Sequence, residues 1–297
     1  MTALFDSLQF IYAPQIINGL SIGVAVILMA LGLTIIFGLL DVINMSHGEF
    51  YAAGAYLSVT LLGLDLSFWL VLVLVPVILF PAGFLIERYL IQRVFHHRDR
   101  HILTLLLTFG LAIVLEDAYR LVWGANPMRP ETPISGATEF LGIYFPQYRL
   151  FLMAFGSLLI LGVWWVVYKT PAGAIVRAAA YDRDMSASLG VPVKAVYALT
   201  FAFGVALAGL AGVLLAPIYS VFPTMGKDFI LLAFTVVIVG GLGSIKGAVI
   251  AALLLTQLQS ISSLFISPVW SDPLVFGVMV LVLMFRPAGL FGGFKNG

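Results

Sequence analysis

The sequence predicts an all-α polytopic membrane protein. Three observations carry this: mean hydropathy is +1.10, only 10% of the 297 residues are charged while 62% are hydrophobic, and apolar runs of about 15 to 25 residues recur along nearly the whole length. Soluble domains carry roughly a quarter of charged residues. In hydrocarbon every backbone N–H and C=O must be satisfied internally, which helices do segment by segment. No stretch between the runs is long enough for a separate soluble domain, so residues 1–297 read as a single transmembrane domain.

Taken in order, the opening residues have no Lys or Arg ahead of their apolar positions and no small-residue cleavage site, which excludes a secretory signal. Leu4, Leu8, Ile11 and Tyr12 recur at helical spacing and predict an interfacial helix over 1–15. Spans need about 20 apolar residues, and fewer where the backbone breaks against protein. Nine segments qualify: 18–40, 49–63, 68–87, 102–123, 150–168, 195–217, 229–243, 248–266 and 274–286. The second, seventh and ninth are short, so the count is about nine, eight to ten, with short or broken helices near 41–63 and 229–247.

Lys and Arg stay on the cytoplasmic side during insertion. Arg88, Arg93, Arg98, Arg100, Lys169, Arg177, Arg183, Lys194, Lys246, Arg286 and Lys295 fall on one side of this arrangement, leaving Arg120, Arg129, Arg149 and Lys227. The first side is therefore expected to be cytoplasmic. The N-terminus is then periplasmic, the C-terminus cytoplasmic, and the Pro-punctuated loop 124–148 periplasmic, where it can cap the outer mouth or meet an external partner.

Between the fifth and sixth spans lies a cytoplasmic segment, 169–194, with charges of both signs among small residues. Thr170 before Pro171 starts a helix, because Thr accepts from a free N–H and Pro has none to leave unpaired. Asp182 caps a second, Asp184 favours its positive end, and Gly190 with Pro192 ends it. The product is helix, turn, helix, with a low-profile surface at 178–180 and 186–188. Arg177, Asp182, Arg183 and Asp184 can fix register across an interface. From residue types alone, a solvated loop is the competing reading.

At this point the chain resembles the branched-chain amino-acid permease family of ATP-driven importers. Arg177, Ala178, Ala180, Asp182, Gly190 and Val191 match the family's coupling motif, and Ser186 stands where an Ala is usual. "GLTIIFGLLDVINMSHGEFYAAGAY" at 32–56 resembles its first-span signature, and "AFTVVIVGGLGSIKGAVIAALLL" at 233–255 its later Gly-rich hairpin. The resemblance implies a non-catalytic permease subunit of the bacterial inner membrane that forms half of a path for branched-chain amino acids or a similar small polar solute. It implies a second related permease subunit, two cytoplasmic ATPase subunits docked on Arg177, Ala178, Ala180, Asp182, Arg183, Asp184, Ser186 and Gly190, and a periplasmic solute-binding protein. ATP and Mg then belong to the ATPase partners, and this chain holds no cofactor.

Asp41, Asn44, Ser46, His47 and Glu49 form a polar knot between apolar helices, read equally as a broken helix lining the translocation path or as a capped cytoplasmic turn. His47 and Glu49 are two apart, off one helix face, so no metal site is expected. "GGLGSIKG" at 240–247 lacks the phosphate-loop spacing. Gly240, Gly241, Gly243 and Ser244 instead predict a tight bend with close helix contact, and are further candidates for the path. Gly204, Ala208 and Gly212, like Gly19 and Gly23, recur every four residues and predict close helix packing. Glu116 and Arg120 have the i, i+4 order that supports a helix. No nucleophile and base are arranged for catalysis, no basic face is large enough for nucleic acid, and no cysteine is present. The alternative function is a self-sufficient gradient-driven carrier or channel, with Asp41, Glu49, Glu116 and Asp117 as its acidic candidates.

Overall fold

The computed structural model describes residues 12–95, 97–140 and 143–292. The helices are α1 (Ala13–Leu40), α2 (His47–Gly63), α3 (Phe68–Val94, with a π-turn at Glu87–Ile91), α4 (Arg100–Trp123), α5 (Gln147–Lys169), α6 (Pro171–Tyr181), α7 (Arg183–Ser188), α8 (Val193–Leu215), α9 (Met225–Gly240), α10 (Ile245–Ser262) and α11 (Ser271–Phe285). Six of them (α1, α3, α4, α5, α8 and α10) are long and apolar enough to cross a membrane unaided. With the shorter α2, α9 and α11, they coincide with the nine segments read from the sequence. The fold is that of an all-α polytopic membrane protein. One departure is a small hairpin, Ala137–Phe140 paired antiparallel with Ile143–Pro146, inside the Pro-rich loop. Of the interfacial helix expected over 1–15, residues 1–11 lie outside the described residues, and Ala13–Gln15 form the first turn of α1 instead.

Two helices form the centre. α1 and α8 are buried along most of their length and cross each other. Lipid tails are as apolar as leucine, so helices associate here through close contact, which small residues permit. A methyl on Gly32 would lie 2.7 Å from the carbonyl oxygen of Gly204, and one on Gly54 would overlap the backbone of Gly209. Gly212 presses on the carbonyl of Tyr51. Ala208, in the same stripe, is fully buried. Gly19 and Gly23 seat Gln257 and Thr256 of α10 in the same manner.

The connection after α1 does not remain at the bundle end. Asp41 closes α1 in the left-handed conformation (φ 52°) and turns the chain back. His47, the first residue of α2, then reaches the carbonyl of Met29 with Nε2 at 3.1 Å. Met29 lies about eleven residues before the end of α1, so the return covers about 16 Å at 1.5 Å per residue. α2 therefore begins near mid-depth and runs alongside α8. The connection after α8 behaves likewise, and α9 begins where Gly226 meets Gly48 and Glu49.

These reversals belong to one pattern used twice. Long α1, half-length α2, then spans α3 and α4 correspond to long α8, half-length α9, then α10 and α11, with every member running in the opposite sense. Packing follows the correspondence: α3 lies on α8 as α10 lies on α1, and α4 meets α2 as α11 meets α9. Inverted repeats of this kind place interrupted helices back to back near the middle of a bilayer. α5 stands outside the pattern, packs on α1, and carries α6 and α7 at one end of the bundle.

Candidate functional site

The polar knot read from the sequence is the meeting point of the two half-length helices. Asn44, Ser46, His47 and Glu49 are all at most 1% exposed, while Asp41 remains at the surface. A solvated turn is thereby excluded for residues 44 to 49. The knot is knit locally and across the bundle. Ser46 donates its hydroxyl to Asn44 Oδ1 at 2.7 Å and its N–H to the same oxygen at 3.1 Å. The Met45 N–H donates to Thr108 Oγ1 at 3.1 Å, and the Tyr119 hydroxyl to the Glu49 carbonyl at 2.7 Å. Both donations tie the reversal to α4.

Glu49 occupies the first turn of α2, and its carboxylate lies against Gly226 in the first turn of α9. The N-terminal ends of two helices thus converge on one acidic side chain. Four buried polar atoms at this junction lack a hydrogen-bond partner among the described residues: Asn44 Nδ2, His47 Nδ1, Glu49 Oε2 and the Tyr51 hydroxyl. Buried polar groups are nearly always satisfied, so four together set this junction apart from the rest of the bundle.

Sequence reading missed the partner of Glu116. Its buried carboxylate binds Arg120, as the spacing predicts, and also the ammonium of Lys227 from the start of α9. No local signal relates Glu116 to Lys227, because only the bundle brings α4 to α9. Among the described residues no three His, Asp or Glu side chains gather as a metal would require.

The 169–194 segment folds as its caps dictate. Thr170 Oγ1 accepts from the Gly173 N–H at 3.1 Å, Asp182 Oδ1 accepts from the Met185 N–H at 2.8 Å, and Gly190 (φ 87°) ends α7 before Pro192. Arg177 and Asp182 are exposed and Arg183 is half-buried, and both arginines also make contacts within the chain. Arg177 turns back to donate to the Val167 carbonyl at the end of α5 and lies over Tyr168. Arg183 stacks over Phe95 and Tyr197, at 5.4 and 5.6 Å. Ser186 is buried, Ala180 half-buried, and Ala178 and Asp184 are exposed. The elbow also presents apolar side chains: Tyr181 is 94%, Leu189 79% and Met185 61% exposed. Beneath it, a cleft of about 260 Å³ between α1, α5, α6 and α8 is lined by Ile35, Val167, Val176 and Phe203.

Gly240, Gly241, Gly243 and Ser244 form the α9–α10 turn at the elbow end. Gly241 and Gly243 have φ of 103° and 80°, which only glycine adopts readily. Ser244 caps α10 by accepting from the Gly247 N–H at 3.1 Å. A methyl on Gly243 would touch Gly38, whereas His47 stands beside Gly32. The turn and the knot are thus separated by about two helical turns along α1, or roughly 9 Å.

Nearly the whole sequence has counterparts among known proteins. The family described as "Branched-chain amino acid transport system / permease component" matches residues 15–283. The high-affinity branched-chain amino acid transport system permease protein LivH of Salmonella typhimurium is 32% identical over 96% of this chain and 97% of its own. The corresponding permease protein BraD of Pseudomonas aeruginosa is 31% identical, covering 95% and 96%. The permease protein LivM of Escherichia coli is 28% identical over 89% of this chain and 67% of its own length. No solved structure matches.

Proposed function

The chain belongs to the family of permease components of branched-chain amino acid transport systems, and from that premise we propose that it forms half of the path by which such an amino acid, or a similar small zwitterion, is imported. The observation that supports this most directly is the likeness of almost the entire chain to permeases so named. The gradient-driven alternative draws no support from those relatives. In this reading the protein is a multi-pass component of the inner membrane and performs no covalent chemistry. The likeness to both LivH and LivM fits pairing with a second, related permease subunit. ATP and Mg are held by two separate cytoplasmic ATPase chains, and a periplasmic binding protein delivers the solute.

The elbow end is assigned to the cytoplasm on its Lys and Arg content, which places the N-terminus outside and the C-terminus inside. Closure of the ATPase pair pushes on the elbow, with Tyr181, Met185 and Leu189 as the contact surface and Arg177, Asp182 and Arg183 holding its shape. α6 and α7 rest on α5 and α8, so the push is delivered to the central pair. Separation of α2 from α9 opens Asn44, Ser46, His47 and Glu49 to the solute, and access alternates between the two faces. Reconstitution with the partner chains tests this. ATP-dependent leucine uptake is expected, and its absence from a complex that binds ATP and retains all its chains would refute the assignment.

A further inference from the structure

Two adjoining cavities, of about 410 and 260 Å³, open between α1, α9, α10 and α11 at the end of the bundle opposite the elbow, and share Ile22, Tyr219, Gln259 and Asp272. Their size lies in the range of small-molecule sites. Asp228 and Asp272 stand on this cavity, and neither makes an ion pair among the described residues. Asp272 accepts from Gln259 Nε2 at 2.8 Å, which fixes that carboxylate and leaves its second oxygen for another donor. Ser271 lines the smaller, adjoining cavity together with Asp272, is 5% exposed, and its hydroxyl has no partner among the described residues. A donor-seeking carboxylate pair beside an idle buried hydroxyl is the surrounding a primary ammonium requires.

The rest of the cavity suits the remainder of an amino acid. Ile22, Phe229 and Val275 supply an apolar wall. Asn18 lines the far side, and its Oδ1 accepts from Arg149, so a guanidinium stands behind that wall. Phe229 also closes the floor: its ring lies 4.4 Å from Tyr51 and 5.4 Å from Tyr219, between the cavity and the knot at Glu49. We infer that this cavity is a receiving subsite for a branched-chain amino acid, with Asp228, Asp272 and Ser271 binding its ammonium group and Phe229 with Tyr51 as the floor that must part for passage. The inference rests on the transport reading above for the identity of the solute, and on the cavity alone for its ammonium chemistry.

The test uses the full transporter in nanodiscs without binding protein, observed by saturation-transfer NMR. The probes are leucine, 3-methylbutylamine, which lacks the carboxylate, and 4-methylpentanoate, which lacks the ammonium. Leucine and the amine are expected to give competing signals, with none from the acid. Asp228→Asn combined with Asp272→Asn should weaken the amine about ten-fold, the effect of losing about one charge-assisted hydrogen bond. Thermal melts check that the variant is folded, since both side chains are exposed. Should that pair lower the melt, Ser271→Val alone is expected to weaken the amine too. Equal signals from acid and amine, no signal from the amine, or unchanged amine binding in folded variants each overturn the subsite. ATP-driven leucine uptake is measured on the same preparation. Uptake with no amine signal removes the subsite and leaves the transport reading standing; an amine signal without uptake of any branched-chain amino acid does the reverse.

Discussion

Gly48 and Gly226 meet where α2 and α9 begin, so closely that a methyl group on Gly48 would overlap the carbonyl oxygen of Gly226 and lie 2.7 Å from Ile230 Cβ. Backbone cannot yield as a flexible side chain does. Gly48→Ala is expected to cost about 1–3 kcal/mol, the usual penalty for overpacking. Gly110 and Gly277 have nothing within 4 Å of a built methyl, and changing either to Ala should be neutral or stabilise by about 0.5–1 kcal/mol. Thermal melts of the detergent-solubilised protein distinguish the two groups. Equal behaviour of Gly48 and Gly110 would contradict the close approach.

Lys227 and Arg120 share the buried carboxylate of Glu116. Removing Glu116 leaves two cations facing each other, whereas removing one cation leaves the carboxylate a partner. Glu116→Ala should therefore destabilise by about 1–3 kcal/mol, and Lys227→Ala by less, because about half of its side chain is exposed. A double-mutant cycle between Glu116 and Lys227 should show coupling of about 0.5 kcal/mol or more. Simple additivity would mean that the pair does not hold α4 to α9.

The elbow separates shape from contact. Met185→Ala and Leu189→Ala remove exposed side chains and should change stability by no more than about 0.5 kcal/mol, yet reduce co-purification of the ATPase chains. Asp182→Ala removes a helix cap and should cost about 1 kcal/mol locally, with Asp182→Asn restoring most of it. Pull-down yields compared with melting curves separate these outcomes. If Leu189→Ala and Met185→Ala together leave pull-down intact, the apolar contact surface is wrong.

Orientation can be read directly, because the sequence contains no cysteine. Ser188→Cys at the elbow and Ser135→Cys in the Pro-rich loop are both exposed positions. In intact cells with a permeable outer membrane, an impermeant maleimide is expected to label Cys at 135, and at 188 only after lysis. The opposite pattern would invert the assigned topology.

The nine apolar helices, six of them long enough to span, were legible because run length and residue type are local properties, and the caps at Thr170, Asp182 and Gly190 were legible because each bonds within three or four residues. The depth of Asn44 to Glu49 was not. It depends on α1 supplying the Met29 carbonyl and on Tyr119, 70 residues from Glu49, reaching that backbone. The Glu116–Lys227 pair and the inverted correspondence of the two halves were hidden for the same reason. Charge type did not foretell the intrachain contacts of Arg177 and Arg183: each meets a carbonyl or an aromatic ring in its own chain, and Arg177 stays exposed.

The buried polar side chains of Asn44 to Glu49 also constrain how the protein is made. The start of α2 is sheltered by α8 and α9, which leave the ribosome about 150 to 180 residues later. Until then this early stretch has no dry, well-matched seat, and hydrocarbon offers it none. Burial of this stretch therefore waits on synthesis of the final third of the chain.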